Sequence, residues 1–307
     1  MKKIVWLYGV LFIMGAGWGL TIPLAKIAVS TGYQPLGLIF WQLVVVVLLL
    51  GAITLLRRRA LMIRHAYLRL FVMVALCGAV LPDIFFYLAA AQLSGGVMSI
   101  VTSTVAMFSL PIAITLGNEQ FELKRLLGLG FGFVGILLLV GPQTSLPDGI
   151  NGLFVLLALC APMLYATEGN LVAKWGTQGL DPMQVIFGAS LVGMAISFPL
   201  AVGSGQWINP LITFGKPEIA LVAGAALHAL VYAGYVWMVG QAGSVFAAQT
   251  SYVVTAMGVL WSMAILNETY SVWVWLALGV MLLGMFLVRP RAARVLVPGR
   301  VIEDDLS

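Results

Sequence analysis

Asp83, Glu168 and His228 are the residues of this chain with types and placement that could do chemistry, because each interrupts a long apolar run. A carboxylate near the middle of a bilayer costs about 2.5–3.5 kcal/mol on the insertion scale, so it should face protein or a water-filled cavity and not lipid. Asp83 directly follows Pro82, and Phe86 and Tyr87, three and four residues on, share its helical face. Tyr165 shares a face with Glu168, while Tyr232 and Tyr235 continue the face of His228. A cavity with these charges and aromatic walls suits an amino acid, an amine or another amphipathic metabolite, and a buried carboxyl could also carry a proton. Proton coupling is thus compatible with the sequence without being required by it. Trp18 and Gln249 complete the candidate substrate pathway, with Asp83, Tyr87, Glu168, His228 and Tyr232. Asp83 has a second reading, a hydrogen bond that only ties its helix to a neighbour. The similar depths of Asp83 and His228 suggest that the two act as a pair.

The elements that must position these residues are membrane spans. With 62% hydrophobic residues, 9% charged residues and a mean hydropathy of +1.06, the chain has too little polar surface to cover a soluble globule. About 20 mostly apolar residues cross a bilayer as a helix. Ten such runs are expected: 4–29, 35–56, 68–92, 96–116, 124–141, 150–173, 182–203, 218–240, 243–266 and 270–289. The first resembles a signal peptide at its start but continues past Trp18, and is read as an uncleaved helix. Short connections, Leu93-Ser94-Gly95 and Gln241-Ala242-Gly243 among them, predict antiparallel hairpins. Pro23, Pro82, Pro111, Pro162 and Pro199 lie within spans and are expected to kink or break them.

The chain is also written twice. Lys26 recurs as Lys174, Tyr87 as Tyr235, Thr102-Ser103 as Thr250-Ser251, Asn118-Glu119 as Asn267-Glu268, and Gly130 and Gly135 as Gly279 and Gly284. Five spans per copy would insert the second copy upside down, giving an all-α membrane protein of two inverted five-helix repeats, a transporter hallmark. The first repeat is read over 1–145, the second over 146–290, with a cytoplasmic tail at 291–307. Of the 16 Lys and Arg residues, all but Lys26 and Lys216 fall on one side of the membrane if both termini are cytoplasmic. Asp83 corresponds to Val231 and Glu168 to Leu20, so the repeats diverge where these carboxylates stand.

Lys26 and Lys174 lie near span ends where they can snorkel, with a gating role second. Glu119 and Glu268 end the fourth and ninth spans, and hydrogen bonding at helix ends or gate contacts are expected of them. Gly128, Gly132 and Gly135, with Gly279 and Gly284, suit close packing of the fifth and tenth spans, as scaffold or as the face of a homodimer. Cys77 and Cys160 read as small apolar residues, and no metal or cofactor is expected. The basic residues sit in short clusters between spans, which argues for membrane orientation and against a nucleic-acid partner.

With these features the chain resembles the drug/metabolite transporter superfamily, specifically the ten-helix EamA-type permeases, over nearly its whole length. The resemblance rests on Trp18-Gly19 with Lys26, on Ser94-Gly95-Gly96-Val97 with Pro111, and on Glu119 with Gly128 and Gly135. Lys174, Ala242-Gly243-Ser244, Glu268, Gly279 and Gly284 repeat it in the second half. It implies a central cavity bounded by the first, third, fourth, sixth, eighth and ninth spans. It also implies alternating access of a small organic metabolite, with export favoured, in a bacterial inner membrane. Two departures stand out. Trp41-Gln42 occupies the start of the second span, where the family often carries Arg, and no proline matches Pro111 in the ninth.

A polytopic membrane enzyme and a channel are the alternatives. The chain has no H-E-x-x-H, no G-x-S-x-G and no phosphate loop, and no ring of identical polar residues or filter-like loop. An amino acid or an amine would suit the mixed acidic and aromatic residues. Asp83→Asn is expected to impair transport with insertion intact.

Overall fold

The computed structural model describes residues 2–61, 63–117, 123–140, 152–211, 214–248 and 250–287. These residues form helices and turns, with no strand among them. A helix satisfies every backbone donor and acceptor within its own segment, which is what an apolar environment demands. In chain order the helices are α1 (Lys2–Ala28), α2 (Pro35–Leu56), α3 (Leu68–Ala75), α4 (Leu81–Gln92), α5 (Gly95–Thr102), α6 (Val105–Thr115) and α7 (Leu123–Val140). The second half supplies α8 (Leu153–Ala158), α9 (Cys160–Trp175), α10 (Pro182–Gly203), α11 (Lys216–Ala248), α12 (Thr250–Leu266) and α13 (Val272–Leu287). Seven stretches are long and apolar enough to cross a membrane, and three shorter apolar stretches lie in α7, α12 and α13.

Each expected span overlaps a helix, but three of them are interrupted. The third is continuous through α3 and α4 only by way of a π-helical turn at Leu76–Val80, just before Pro82. The fourth breaks between α5 and α6, where the Ser103 and Thr104 hydroxyls bond the carbonyls of Ile100 and Val101 at 2.6 Å each. Such local bonds compete with the helical ladder. The sixth breaks at Leu159, with Pro162 tolerated in the first turn of α9. Contrary to expectation, Pro23, Pro111 and Pro199 sit inside helices that remain continuous in α1, α6 and α10.

The hairpin expected at Gln241-Ala242-Gly243 is a further correction, because α11 runs through those residues to Ala248. In the first repeat Ser94 caps α5, its hydroxyl accepting from Val97 N at 3.4 Å. The corresponding residue in the second repeat is Ala242, which has no capping oxygen. Without a cap or a proline the helix continues, since an internal glycine costs only about 1 kcal/mol.

Helices pack mainly across the two halves. α2 lies against α10, α7 against α13, and α1 against α11 and α12, while α9 packs against α4 and α6. The α1 arrangement in one half thus mirrors that of α9 in the other. Of the glycines expected to serve a scaffold or an oligomer face, Gly128, Gly135 and Gly284 lie between α7 and α13, Gly132 faces Met107 of α6, and a Cβ on Gly279 would meet open space. A Cβ on Gly284 would lie 2.7 Å from the Gly128 carbonyl oxygen, so only hydrogen there permits the backbones to meet. The proposed boundary at 145, Glu119, Gln249 and the tail at 291–307 lie outside the described residues.

Candidate functional site

The two membrane-depth carboxylates occupy the middle of this helix exchange, and both are buried at 7% exposure. Asp83, in the first turn of α4, accepts from Tyr165 Oη on α9 at 2.6 Å and from Gln42 Nε2 on α2 at 2.7 Å. The other end of Gln42 accepts from the Tyr87 hydroxyl. Asp83, Gln42, Tyr87 and Tyr165 therefore form one closed network that ties α2, α4 and α9 together. Asp83 and Tyr87 were expected from sequence. Gln42 was noted only as a departure from the family, and Tyr165 only as a neighbour of Glu168.

Glu168 stands one turn from Tyr165 on α9. Its Oε1 accepts from Tyr232 Oη on α11 at 3.0 Å, and among the described residues nothing donates to its Oε2. The π-helical turn lies against it, with a Cβ on Gly78 falling 3.1 Å from Glu168 Cγ. Aromatic rings surround its partner. Tyr232 stacks on His228 with centroids 6.1 Å apart, and Trp18 meets His228, Tyr232 and Tyr235 edgewise at 5.7, 6.1 and 5.9 Å. Gly17, beside Trp18 on α1, approaches Val231 and Leu227. The structure thus gathers Trp18, Glu168, His228 and Tyr232 into one cluster. His228 makes no hydrogen bond or ion pair with Asp83, so the expected pairing of those two is replaced by contacts with Trp18 and Tyr232.

Trp18, Gln42, Tyr165, His228, Tyr232 and Tyr235 all keep part of their surface accessible. The hydroxyls of Tyr165 and Tyr232 reach Asp83 and Glu168, and the rings of His228, Tyr232 and Tyr235 meet Trp18. Hydrogen-bond donors, ring faces and two carboxylates are thus gathered in one place. Among the described residues no Lys, Arg or His forms an ion pair with either carboxylate, and no group of His, Cys, Asp and Glu is placed to hold a metal ion.

The repeated lysines have parallel roles at helix ends. Lys26 Nζ donates to the Leu93 carbonyl at 2.7 Å, just past α4, and Lys174 Nζ donates to the Leu116 carbonyl at 3.0 Å, just past α6. A cation on the last carbonyls of a helix is favoured by the helix dipole. Glu268 does the reverse, accepting from the Gly95 and Gly96 amides at 3.0 and 3.3 Å at the start of α5. Tyr270 Oη donates to the same carboxylate at 2.7 Å. Burial, followed by that bond, pushes the Tyr270 phenol above its ordinary range. The Tyr33 hydroxyl donates to Glu218 near the same end, which pushes its phenol up to about 12. At the opposite end Arg59 pairs with Asp181 at 3.1 Å and the Arg69 guanidinium lies 4.5 Å from the centroid of the Trp175 ring.

The architecture and the enclosed polar centre define a multi-pass membrane protein built of two repeats. The chain belongs to the EamA-like transporter family, whose model matches residues 5–141 and again 152–289. The members of that family are transporters, within the drug/metabolite transporter superfamily. A solved structure described only as a crystal structure of a protein is similar in fold, with a TM-score of 0.63 at 14% identity, covering 90% of this chain and 94% of the other. No curated protein matches the chain.

Proposed function

We propose that this protein is an alternating-access carrier that exports a small organic metabolite, an amino acid or an amine, across a bacterial inner membrane. The observation that carries this reading is that α1 and α11 bring the aromatic cluster to the carboxylates of α4 and α9, side chains that on this reading line a central cleft. Both repeats therefore contribute to one polar centre at membrane depth, where a carrier must hold its substrate. The mirrored packing of α1 and α9 supports an inverted arrangement of ten spans, in repeats at 1–145 and 146–290, with both termini cytoplasmic. Asp83 and Glu168 would then bind substrate or exchange it for protons. Lys26, Lys174 and Glu268 would act at the ends, where helices of the two repeats must part for each face to open.

Counterflow in liposomes tests the carrier reading. Saturable uptake driven by internal unlabelled substrate is expected of a carrier, whereas non-saturable flux fits a channel and chemical turnover fits an enzyme. Single cysteines introduced beside Glu119 and beside Glu268 should label from opposite sides of the membrane, and same-side labelling would end the inverted-repeat reading.

A further inference from the structure

We infer that the ligand of the central cleft is an organic cation, an ammonium-bearing molecule with an apolar or aromatic body and no carboxylate, bound with its charge at Glu168 Oε2. This rests on the carrier reading and narrows its substrate class.

Glu168 is buried at 7% exposure, yet among the described residues only one of its oxygens has a hydrogen-bond donor. That oxygen is not sealed in, since among the described residues the buried side-chain oxygen without a partner is Thr250 Oγ1, so a cationic ligand can reach it and form a charge-assisted bond. Among the described residues no lysine or arginine forms an ion pair with Glu168. Lys26 and Lys174 are held on backbone carbonyls at helix ends, Arg59 is engaged by Asp181, and Arg69 lies over Trp175. His228 is stacked on Tyr232 and reaches neither carboxylate.

The walls around that oxygen suit the same ligand. Trp18, His228, Tyr232 and Tyr235 form a continuous aromatic group on α1 and α11 beside Glu168. Aromatic faces attract a cation through their quadrupole, and a carboxylate combined with such rings is a strong receptor for an alkylammonium group. Glu168 differs from Asp83 here, because both oxygens of Asp83 are already bonded by Tyr165 and Gln42.

The cleft also discriminates against a zwitterion. A substrate carboxylate would need a cation to neutralise it. Gln42 carries no charge and is engaged by Asp83 and Tyr87. An amino acid would bring its own negative charge next to two carboxylates with which, among the described residues, no Lys or Arg forms an ion pair. An amine would bring only the charge that the cleft lacks.

Three probes that share a phenyl body separate these cases: phenethylamine, L-phenylalanine and 3-phenylpropionate. Titration calorimetry on the full chain in nanodiscs should show saturable binding of phenethylamine at least about tenfold tighter than of phenylalanine, and none of phenylpropionate, as loss of one charge-assisted contact implies. Glu168→Gln, which keeps the acceptor for Tyr232, should weaken phenethylamine about tenfold or more. Trp18→Leu, which removes an aromatic wall without touching the carboxylate, should weaken it by a smaller factor. Equal or tighter binding of phenylalanine, or undiminished phenethylamine binding in Glu168→Gln, overturns the cation assignment. Saturable counterflow of phenylalanine, uncompeted by phenethylamine, would do the same while leaving the carrier standing. Non-saturable leak of all three probes, with same-side cysteine labelling, would bring down the carrier reading as well.

Discussion

Asp83 binds Tyr165 of α9 one turn from Glu168 on the same helix, and the two carboxylates are equally buried, yet their surroundings differ in kind. Asp83 is closed: Tyr165 and Gln42 take both oxygens and link three helices. Glu168 is half open, with Tyr232 on one oxygen and rings about it. A carboxylate whose lone pairs are all used by the protein fixes helix positions, whereas one with an oxygen to spare can exchange its partner. Burial alone does not distinguish these roles. The second reading offered for Asp83, a tie between helices, describes its geometry, and the proposal places the ligand's charge at Glu168.

Substitutions can break or sharpen this contrast. The largest effect should come from Glu168→Gln, which is expected to cut counterflow about tenfold or more while the thermal midpoint stays near that of the parent. A large fall in midpoint with normal transport would erase the contrast. Asp83→Leu should do the opposite. It orphans the Tyr165 and Gln42 donors at about 1–3 kcal/mol each, so the unfolding midpoint drops clearly. Asp83→Asn keeps an acceptor oxygen and should fold, with transport slowed less than in Glu168→Gln. Gln42→Leu should lower stability by about 1–3 kcal/mol, because it strips one donor from Asp83 and the acceptor from Tyr87. The smallest effect belongs to Tyr232→Phe, for which a twofold to tenfold change in apparent affinity, equivalent to about 0.5–1.5 kcal/mol, is expected with little change in stability. A fall in affinity as great as that of Glu168→Gln would mean that Tyr232 touches the ligand itself.

Much of the helical framework was legible because apolar runs of span length carry their own signal. Lys26 and Lys174 recur in the sequence, and both end on carbonyls beyond neighbouring helices. Tyr232 was legible beside His228 from helical spacing, but its bond to Glu168 crosses from α11 to α9 and leaves no trace in local pattern. Gln42 was hidden for the same reason, since a lone glutamine in an apolar run declares no partner. The long α11 was missed because Gln241-Ala242-Gly243 reads as a turn by composition, although Ala242 lacks the hydroxyl with which Ser94 starts α5.

By itself the sequence determined that the chain lies in a membrane, that it is built from two copies, and that its few interior charges demand an account. Those properties are sums over residues or comparisons along the chain, and burial in lipid makes every charged side chain conspicuous. Only the tertiary structure decided which carboxylate is saturated and which is open. Hydrogen bonding depends on donors from α2, α9 and α11, and helices that far apart in sequence acquire a common centre only when the two halves pack into one another.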